Sequence, residues 1–327
     1  CKTYPSNLNT LKEKTRLFNE KMNNVNTNMN DVTNENEKTR FDGLVSDFFD
    51  LSREHEDPIR TATWNCTSGF TTQFEYFRDF MKTRAEPYID ILCLQGFPAG
   101  NARKHPRVFE LFEECGFIYV YSRDADESMH IHKTMTLFKR SFLRKYDVIP
   151  CSAHEQSMLE IYNIKLKGID SESIDDNFAL INVYLNHGVS KSKILGGIDD
   201  YCYEELGNPY KIVIGDFNYD AHEDFLIQTL LSVRSMTPDT PTCNGYRADH
   251  ILSDIHIMTM VDERFTRGTY NNGYIHISGN HFHQPVYGFF VPRREYSIYQ
   301  CQNFYNTQRA LGCDYHIIDR KSEIPTM

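Results

Sequence analysis

From Ile59 onward the sequence carries about a dozen short apolar runs, more strands than one open sheet commonly holds. They read IRTATWN, IDILCLQ, FIYVYS, MTLFKR, YDVIPCSA, LEIYNIKLKGI, FALINVYLN, YKIVIGDFN, RADHILSDIHIMT and QPVYGFFV, with smaller runs between. Helical patterns near QFEYFRDFMKTR and PRVFELFEECG interrupt them. Strands alternating with helices point to an α/β protein, and their number points to two sheets packed against each other. No internal repeat period is present, which excludes solenoids and propellers.

The segments on either side have a different texture. Residues 1–58 are rich in asparagine, and Leu8, Leu11, Thr15, Phe18, Met22, Val25, Met29 and Val32 recur at three- and four-residue spacing. That spacing predicts a heptad-patterned helix. Asparagine is a poor helix former, so this helix needs a partner surface: its own body, a protein partner, or self-association through residues 8–32. A second amphipathic stretch, FDGLVSDFFDLSRE, follows before Pro58 breaks the pattern. Residues 295–327 form a Tyr-rich polar extension, expected as an edge strand or surface wrap. The chain therefore divides into a helical appendage (1–58), a main domain (59–294) and a carboxy-terminal extension (295–327).

Charge and cysteine content narrow the functions available. The 327 residues hold 45 acidic and 35 basic side chains, a net charge of -10, and no Lys/Arg cluster of the kind a phosphate backbone rewards, so nucleic acid is not an expected partner. No run is long and apolar enough for a transmembrane segment, and the first residues lack the apolar core of a signal peptide. Cys1 fits a processed lipoprotein or an arbitrary terminus, and the compartment stays open. The nine cysteines show no CxxC or Cys/His zinc spacing. Arg123 and the stretch from Lys133 to Arg140 are candidate phosphate or glycan contacts, though surface charge of that density is ordinary.

Chemistry concentrates in KIVIGDFNYD. An apolar strand runs into Gly215, Asp216, Phe217 and Asn218, delivering a carboxylate and an amide two residues apart, on one side by pleat periodicity. Asp216 is suited to orienting a water or holding a metal, and Asn218 to donating to a phosphoryl oxygen; a turn cap is the plain structural alternative. With TATWN upstream, IDILCLQ next, RADHIL afterwards and a terminal HxPV, the order resembles the endonuclease/exonuclease/phosphatase superfamily over residues 59–292. Within it, TWNCTSG and LQGFPAG look most like the nuclease subunit of cytolethal distending toxin. The resemblance implies a four-layer α/β sandwich, two mixed sheets flanked by helices. It also assigns ancestral catalytic positions to Asn65, Asp216, Asn218, Asp249 and His283, with Asp249 orienting His283 and Asp216 acting on the attacking water. Asn65 heads a glycosylation sequon with Cys66 and Thr67, better read as this strand-end amide because a glycan would block the cleft.

Three positions depart from the family pattern. Gly96 stands where the family has a metal-binding Glu, Tyr184 where it has a His, and Phe282 where an Asp precedes the catalytic His. Gln95 faces away from the position of that Glu in a regular strand, and His187 replaces the lost His only if a turn begins at Leu185. A hard cation wants carboxylate oxygens, so no metal ligand set is assigned and no cofactor is expected. The expectation is a catalytically degenerate protein serving as a binding, structural or assembly module. The alternative is an active Mg²⁺- or Mn²⁺-dependent phosphodiesterase or deoxyribonuclease, toxin-like and secreted, using Asp216, Asn218, Asp249 and His283. A zinc or iron site from His276, His281 and His283 with Asp249 or Asp254 is a further alternative.

Overall fold

The computed structural model describes residues 14, 16–18, 20–21, 34–53, 58–66, 74–96, 106–120, 134–151, 159–168, 177–185, 191–206, 210–218, 234–235, 241–243, 247–253, 257–262, 265, 269–270, 273–274 and 283–290. Two six-stranded sheets dominate. The first has the order β11 (Ile257–Val261), β14 (Val286–Phe290), β1 (Ile59–Asn65), β2 (Ile91–Gln95), β4 (Thr134–Lys139), β3 (Phe117–Tyr119). The second runs β5 (Tyr146–Pro150), β6 (Leu159–Leu166), β7 (Asn177–Tyr184), β8 (Lys211–Asp216), β10 (Asp249–Ser253), β9 (Arg234–Ser235). A separate two-stranded ribbon joins β12 (Thr269–Tyr270) to β13 (Gly273–Tyr274).

Both sheets are mixed. β1–β2 and β7–β8 pair in parallel, and the other pairings are antiparallel. A parallel pair needs a crossover, and each crossover contributes a helix. Between β1 and β2 lies α2 (Phe74–Phe80), continued by a π-helical turn (Met81–Ala85) and a short α3 (Glu86–Tyr88). Between β7 and β8 lies α6 (Lys191–Glu204). The helix α4 (Pro106–Glu114) opens on proline, where a missing N–H costs nothing. It buries Val108, Leu111 and Phe112 at helical spacing and stops at Gly116, whose φ of 77° is the left-handed conformation of a C-terminal cap. A short α5 (Arg140–Lys145) links β4 to β5.

Three apolar layers hold these elements. Alternate residues of β1 and β2 (Ala62, Trp64, Leu92, Leu94) pack outward with Phe77, Phe80, Leu111 and Phe112 of the first helical layer. Between the sheets lie Ile91, Cys93, Leu180, Ile212, Ile214 and Ile251. Ala179, Ile181, Val183 and Val213 face Leu195, Ile198 and Cys202 of α6. Strands covered on both faces read as near-continuous apolar runs, which is why period-two alternation is faint here. The result is the expected four-layer α/β sandwich.

The amino-terminal segment packs on the body where it is described. The helix α1 (Asn34–Ser52) buries Leu44, Val45, Phe48 and Phe49 in the outer layer of the first sheet. Phe48 lies 5.3 Å from Phe289 between ring centroids, and Phe49 stacks on Tyr88 at 4.9 Å. Of the heptad seam, Phe18 is helical, buried, and 5.9 Å from Phe48, and Lys21 pairs with Asp47 at 2.6 Å. The other seam positions and residues 295–327 lie outside the described residues.

Some elements differ from the sequence expectation. RADHILSDIHIMT reads as one run, but the structure divides it: β10 belongs to the second sheet and β11 to the first. KSKILGGIDDYCYE, with two adjacent glycines, carries a weak helical pattern and yet forms α6, because tertiary packing of Leu195, Ile198 and Cys202 outweighs propensity.

Candidate functional site

Along the layer between the sheets, composition changes from one end to the other. The inward residues of β1 run Ile59, Thr61, Thr63, Asn65; those of β2 run Ile91, Cys93, Gln95; those of β7 run Phe178, Leu180, Asn182, Tyr184; those of β8 run Ile212, Ile214, Asp216. All four strands end in polar side chains at their carboxyl ends. Two parallel pairs pointing the same way thus gather the chemistry at one mouth of the sandwich, where α/β sheets commonly bind ligands.

The innermost polar group is Asp216. Its Oδ2 accepts from Asn65 Nδ2 at 2.7 Å, across the gap between the sheets, and from Asn218 Nδ2 at 3.0 Å. Its Oδ1 accepts from the Asn218 backbone N–H at 2.8 Å. Asp216 and Asn218 were expected on one side through strand pleating. The structure corrects the reason: β8 ends at Asp216, and Asn218 turns back with φ 49°, so the pairing is a local turn that doubles as an anchor. Burial pushes the Asp216 carboxyl above the usual range, and the negative charge of Asp249 adds to this. Asp249 opposes Asp216 directly in the β8–β10 register.

His283 enters from the other sheet. Its Nδ1 lies 2.7 Å from Asp249 Oδ2 and its Nε2 lies 3.8 Å from Asp216 Oδ2. Burial opposes the imidazolium, but the charge and hydrogen bond of Asp249, aided by Cys243 and Asp216, hold it well above the ordinary histidine range. Its backbone is fixed on two sides: Trp64 Nε1 donates to the His283 carbonyl at 3.0 Å, and Cys243 forms an isolated antiparallel bridge with it. The Thr242 hydroxyl accepts from the N–H groups of Ala248 and Asp249, and the Thr242 carbonyl from that of Gln284, tying both halves of the His–Asp pair to one residue. Asp249 Oδ1 is buried with no hydrogen-bond partner among the described residues.

Asn65, Asp216, Asn218, Asp249 and His283, the five positions expected from the sequence, therefore lie together. The substituted positions behave differently. Gly96 follows β2 with φ 63° and supplies no side chain. Tyr184 is paired in register with Asp216 and half-buried; burial raises its phenol, and Asp216 reinforces the shift. Phe282, His187, His276, His281 and Asp254 lie outside the described residues, as do Arg123 and Lys133. The rest of the basic stretch runs along β4 and into α5. Thr134 pairs with Gln95 at the mouth, so β4 runs away from it, and Lys139 and Arg140 sit at the far end, with the Lys139 amine on the Glu86 carbonyl.

Sequence reasoning missed a buried polar chain beneath the mouth. Thr63 Oγ1 donates to Gln95 Oε1 at 3.0 Å, and Gln95 Nε2 to Asn182 Oδ1 at 2.7 Å. Asn182 Nδ2 donates to Thr136 Oγ1 at 3.0 Å, and Thr136 Oγ1 to Glu160 Oε2 at 2.6 Å. Tyr119 OH closes the line on Glu160 Oε1 at 2.9 Å. The available signal was a polar residue at alternate positions of otherwise apolar strands: Asn182 in FALINVYLN and Glu160 in LEIYNIKL.

Layers, sheet order and mouth define a four-layer α/β sandwich with its polar groups gathered at one end. No known family profile matches the chain, and no curated protein does. Solved structures resemble it in fold. An endonuclease/exonuclease/phosphatase family protein from Leptotrichia buccalis is 14% identical, covering 71% of this chain and 99% of its own, with a TM-score of 0.46. An AP endonuclease from Leishmania major is 12% identical over 73% of this chain and 90% of its own, at 0.48. D. rerio TDP2, complexed with single-strand DNA product, is 14% identical over 72% and 100%, at 0.45. The likeness is to the endonuclease/exonuclease/phosphatase fold, and no residue role in this chain rests on it.

Proposed function

We propose that the chain is a catalytically degenerate protein on this fold, serving as a binding or assembly module. The observation that carries the reading is the donor set at the mouth. Ligand atoms of Asp216, Asp249 and His283 lie within 4.8 Å of one another, a spacing compatible with one ion. Most of their lone pairs are engaged within the protein: Asp216 accepts from three N–H groups and Asp249 Oδ2 faces His283 Nδ1, while Asp249 Oδ1 is buried with no hydrogen-bond partner among the described residues. A hard divalent cation takes six or more oxygen ligands, and Gly96 offers none where the family pattern has its anionic ligand. With one uncommitted carboxylate oxygen, Asp249 Oδ1, and no carboxylate at Gly96, the described residues offer fewer anionic ligands than a tight Mg²⁺ or Mn²⁺ site takes.

A second reading is favoured by one specific feature, the 2.7 Å His283–Asp249 pair beside Asp216 and two amides. Under it the chain is a divalent-metal-dependent phosphodiesterase or deoxyribonuclease, toxin-like by TWNCTSG and LQGFPAG. Plasmid nicking and turnover of a phosphodiester reporter across Mg²⁺, Mn²⁺ and Zn²⁺ separate the two. The expected result is turnover at the level of the blank, unchanged by Asp216→Asn or His283→Ala. Robust turnover abolished by both substitutions establishes the second reading instead. The partner surface belongs, in this proposal, to residues 8–32 other than Phe18, which is buried against Phe48 of the same chain, by docking a protein partner or a second copy of the chain.

A further inference from the structure

Beneath the mouth, Glu160 of β6 is a carboxylate shut between the sheets, 8% exposed. Donors reach it from three strands. The Thr136 hydroxyl of β4 donates to Oε2 at 2.6 Å, the Asn182 amide of β7 to Oε2 at 3.4 Å, and the Tyr119 hydroxyl of β3 to Oε1 at 2.9 Å. The other titratable groups that face Glu160 are Cys93 of β2 and Tyr162 of its own strand, and burial raises both, so neither is charged near neutral pH. The ionised carboxylate thus has hydrogen bonds but no counter-ion among these groups, and a charge buried that way is driven toward water.

One wall of this cage is weak. β3 is three residues long and stands at the edge of the first sheet, paired with β4 alone. Ile118 is 36% exposed and Tyr119 is half-buried. Two side-chain bonds tie the end of this strand to the second sheet: the Tyr119 hydroxyl on Glu160, and the Tyr162 hydroxyl on the Val120 carbonyl at 3.0 Å. The other two donors sit on β4 and β7, each flanked by strands on both sides. Lifting β3 from its Tyr119 end is therefore the least costly way to hydrate the carboxylate.

We propose that Glu160 and Tyr119 form a pH-operated latch: with Glu160 neutral, β3 stays closed on the second sheet, and with Glu160 ionised, β3 opens and admits water to the carboxylate. A phenol donates to a carboxylate and accepts from a carboxyl, so the link exists in both states and the trigger is the cost of burying the charge. Burial pushes the closed carboxyl up to about 7, and an opened, hydrated Glu160 returns toward 4.5. Below 4.5 both forms hold the proton; between 4.5 and about 7 only the closed form does, so opening grows easier as pH rises, and above about 7 the effect levels off. None of these groups is Asp216, Asp249 or His283, so the latch stands whether or not the mouth hydrolyses anything.

The test is hydrogen–deuterium exchange of the full chain, read by NMR at the amides of β3 and β7 from pH 5 to pH 9, each rate divided by its intrinsic chemical rate. Protection in β3 is expected to lie below that in β7 throughout and to fall by on the order of a hundredfold across the range, levelling off above pH 7. Glu160→Gln, which has no proton to lose, is expected to hold β3 protection flat. A flat profile in the parent overturns the latch, as does an equal fall in the folded variant, or β3 protection equal to that of β7, which marks whole-molecule unfolding alone. If the variant does not fold, the parent's curve decides: a fall that continues unchanged above pH 8 overturns the proposal.

Discussion

Glu160 is a carboxylate almost wholly out of water, supported by donors from Thr136, Tyr119 and Asn182. Burial outweighs those bonds and pushes its carboxyl up to about 7 from 4.5. Between those values the folded chain holds a proton that the unfolded chain has released. Glu160 therefore lowers folding stability as pH rises through that window, by an amount on the order of 3 kcal/mol when complete. The Glu160→Gln variant has no proton to lose. Urea denaturation at pH 5 and pH 8 is expected to show a smaller pH-dependent loss in the variant than in the parent, by about 1–3 kcal/mol. Identical pH slopes would place the proton elsewhere. Other buried groups titrate in the same experiment, but they are common to both proteins and cancel in the difference.

At the scale of elements, β8 depends on a glycine. Gly215 has φ 146°, and a Cβ there would lie 1.9 Å from the Val183 carbonyl oxygen on β7. The contact is with backbone, so no side-chain rotation relieves it. Gly215→Ala is expected to cost more than about 3 kcal/mol, or to leave no soluble protein, because strain and overpacking act together. An unfolding midpoint equal to the parent's would show that β7 and β8 separate easily.

The π-helical turn poses a different problem, a guanidinium turned into the protein. Arg84 bonds Asp262 Oδ2 at 2.8 Å and Asp42 Oδ1 at 2.5 Å, and Tyr287 OH donates to the same Asp262 oxygen. Asp262 is fully buried while Asp42 is 40% exposed in its side chain. Removing the buried partner strands a charge, so Asp262→Ala is expected to cost about 3–5 kcal/mol. Asp42→Ala, where water can take over, is expected to cost under about 1 kcal/mol. Chemical denaturation of both variants checks the ranking, and equal losses would contradict it.

Legibility follows the same division of local and distant. The strands of the two parallel pairs were visible because double burial makes them apolar throughout, and Asp216–Asn218 was visible because a strand end and a turn are local events. The split of RADHILSDIHIMT was hidden because its two halves are equally apolar. Cys243 beside His283 was hidden for a stronger reason. It depends on a bridge between segments forty residues apart, about which local sequence carries no information. The burial of Arg84 was hidden too, because its partner Asp262 lies far along the chain.

For the whole molecule, the helix α1 decides what counts as the folding unit. Phe48 and Phe49 are buried against Phe289, Tyr287 and Tyr88, and each such ring contributes about 1.5–3 kcal/mol of burial. Deleting residues 1–52 uncovers the outer face of β14. The truncated chain is expected to melt well below the full-length protein or to aggregate; an unchanged midpoint in differential scanning calorimetry would show that α1 is an ornament on an independent body.

Two of the short bonds at the mouth, Asn65–Asp216 and His283–Asp249, share one geometric property. Asn65 belongs to the first sheet and Asp216 to the second; His283 leads into the first sheet and Asp249 lies in the second. Each bond is therefore a stitch between two slabs, at the end where the filling has turned from hydrocarbon to amides and carboxylates and apolar cohesion is weakest. A sandwich of this kind needs fastening there whatever it does for a living. An assembled constellation at this mouth therefore answers a mechanical need before it answers any chemical one.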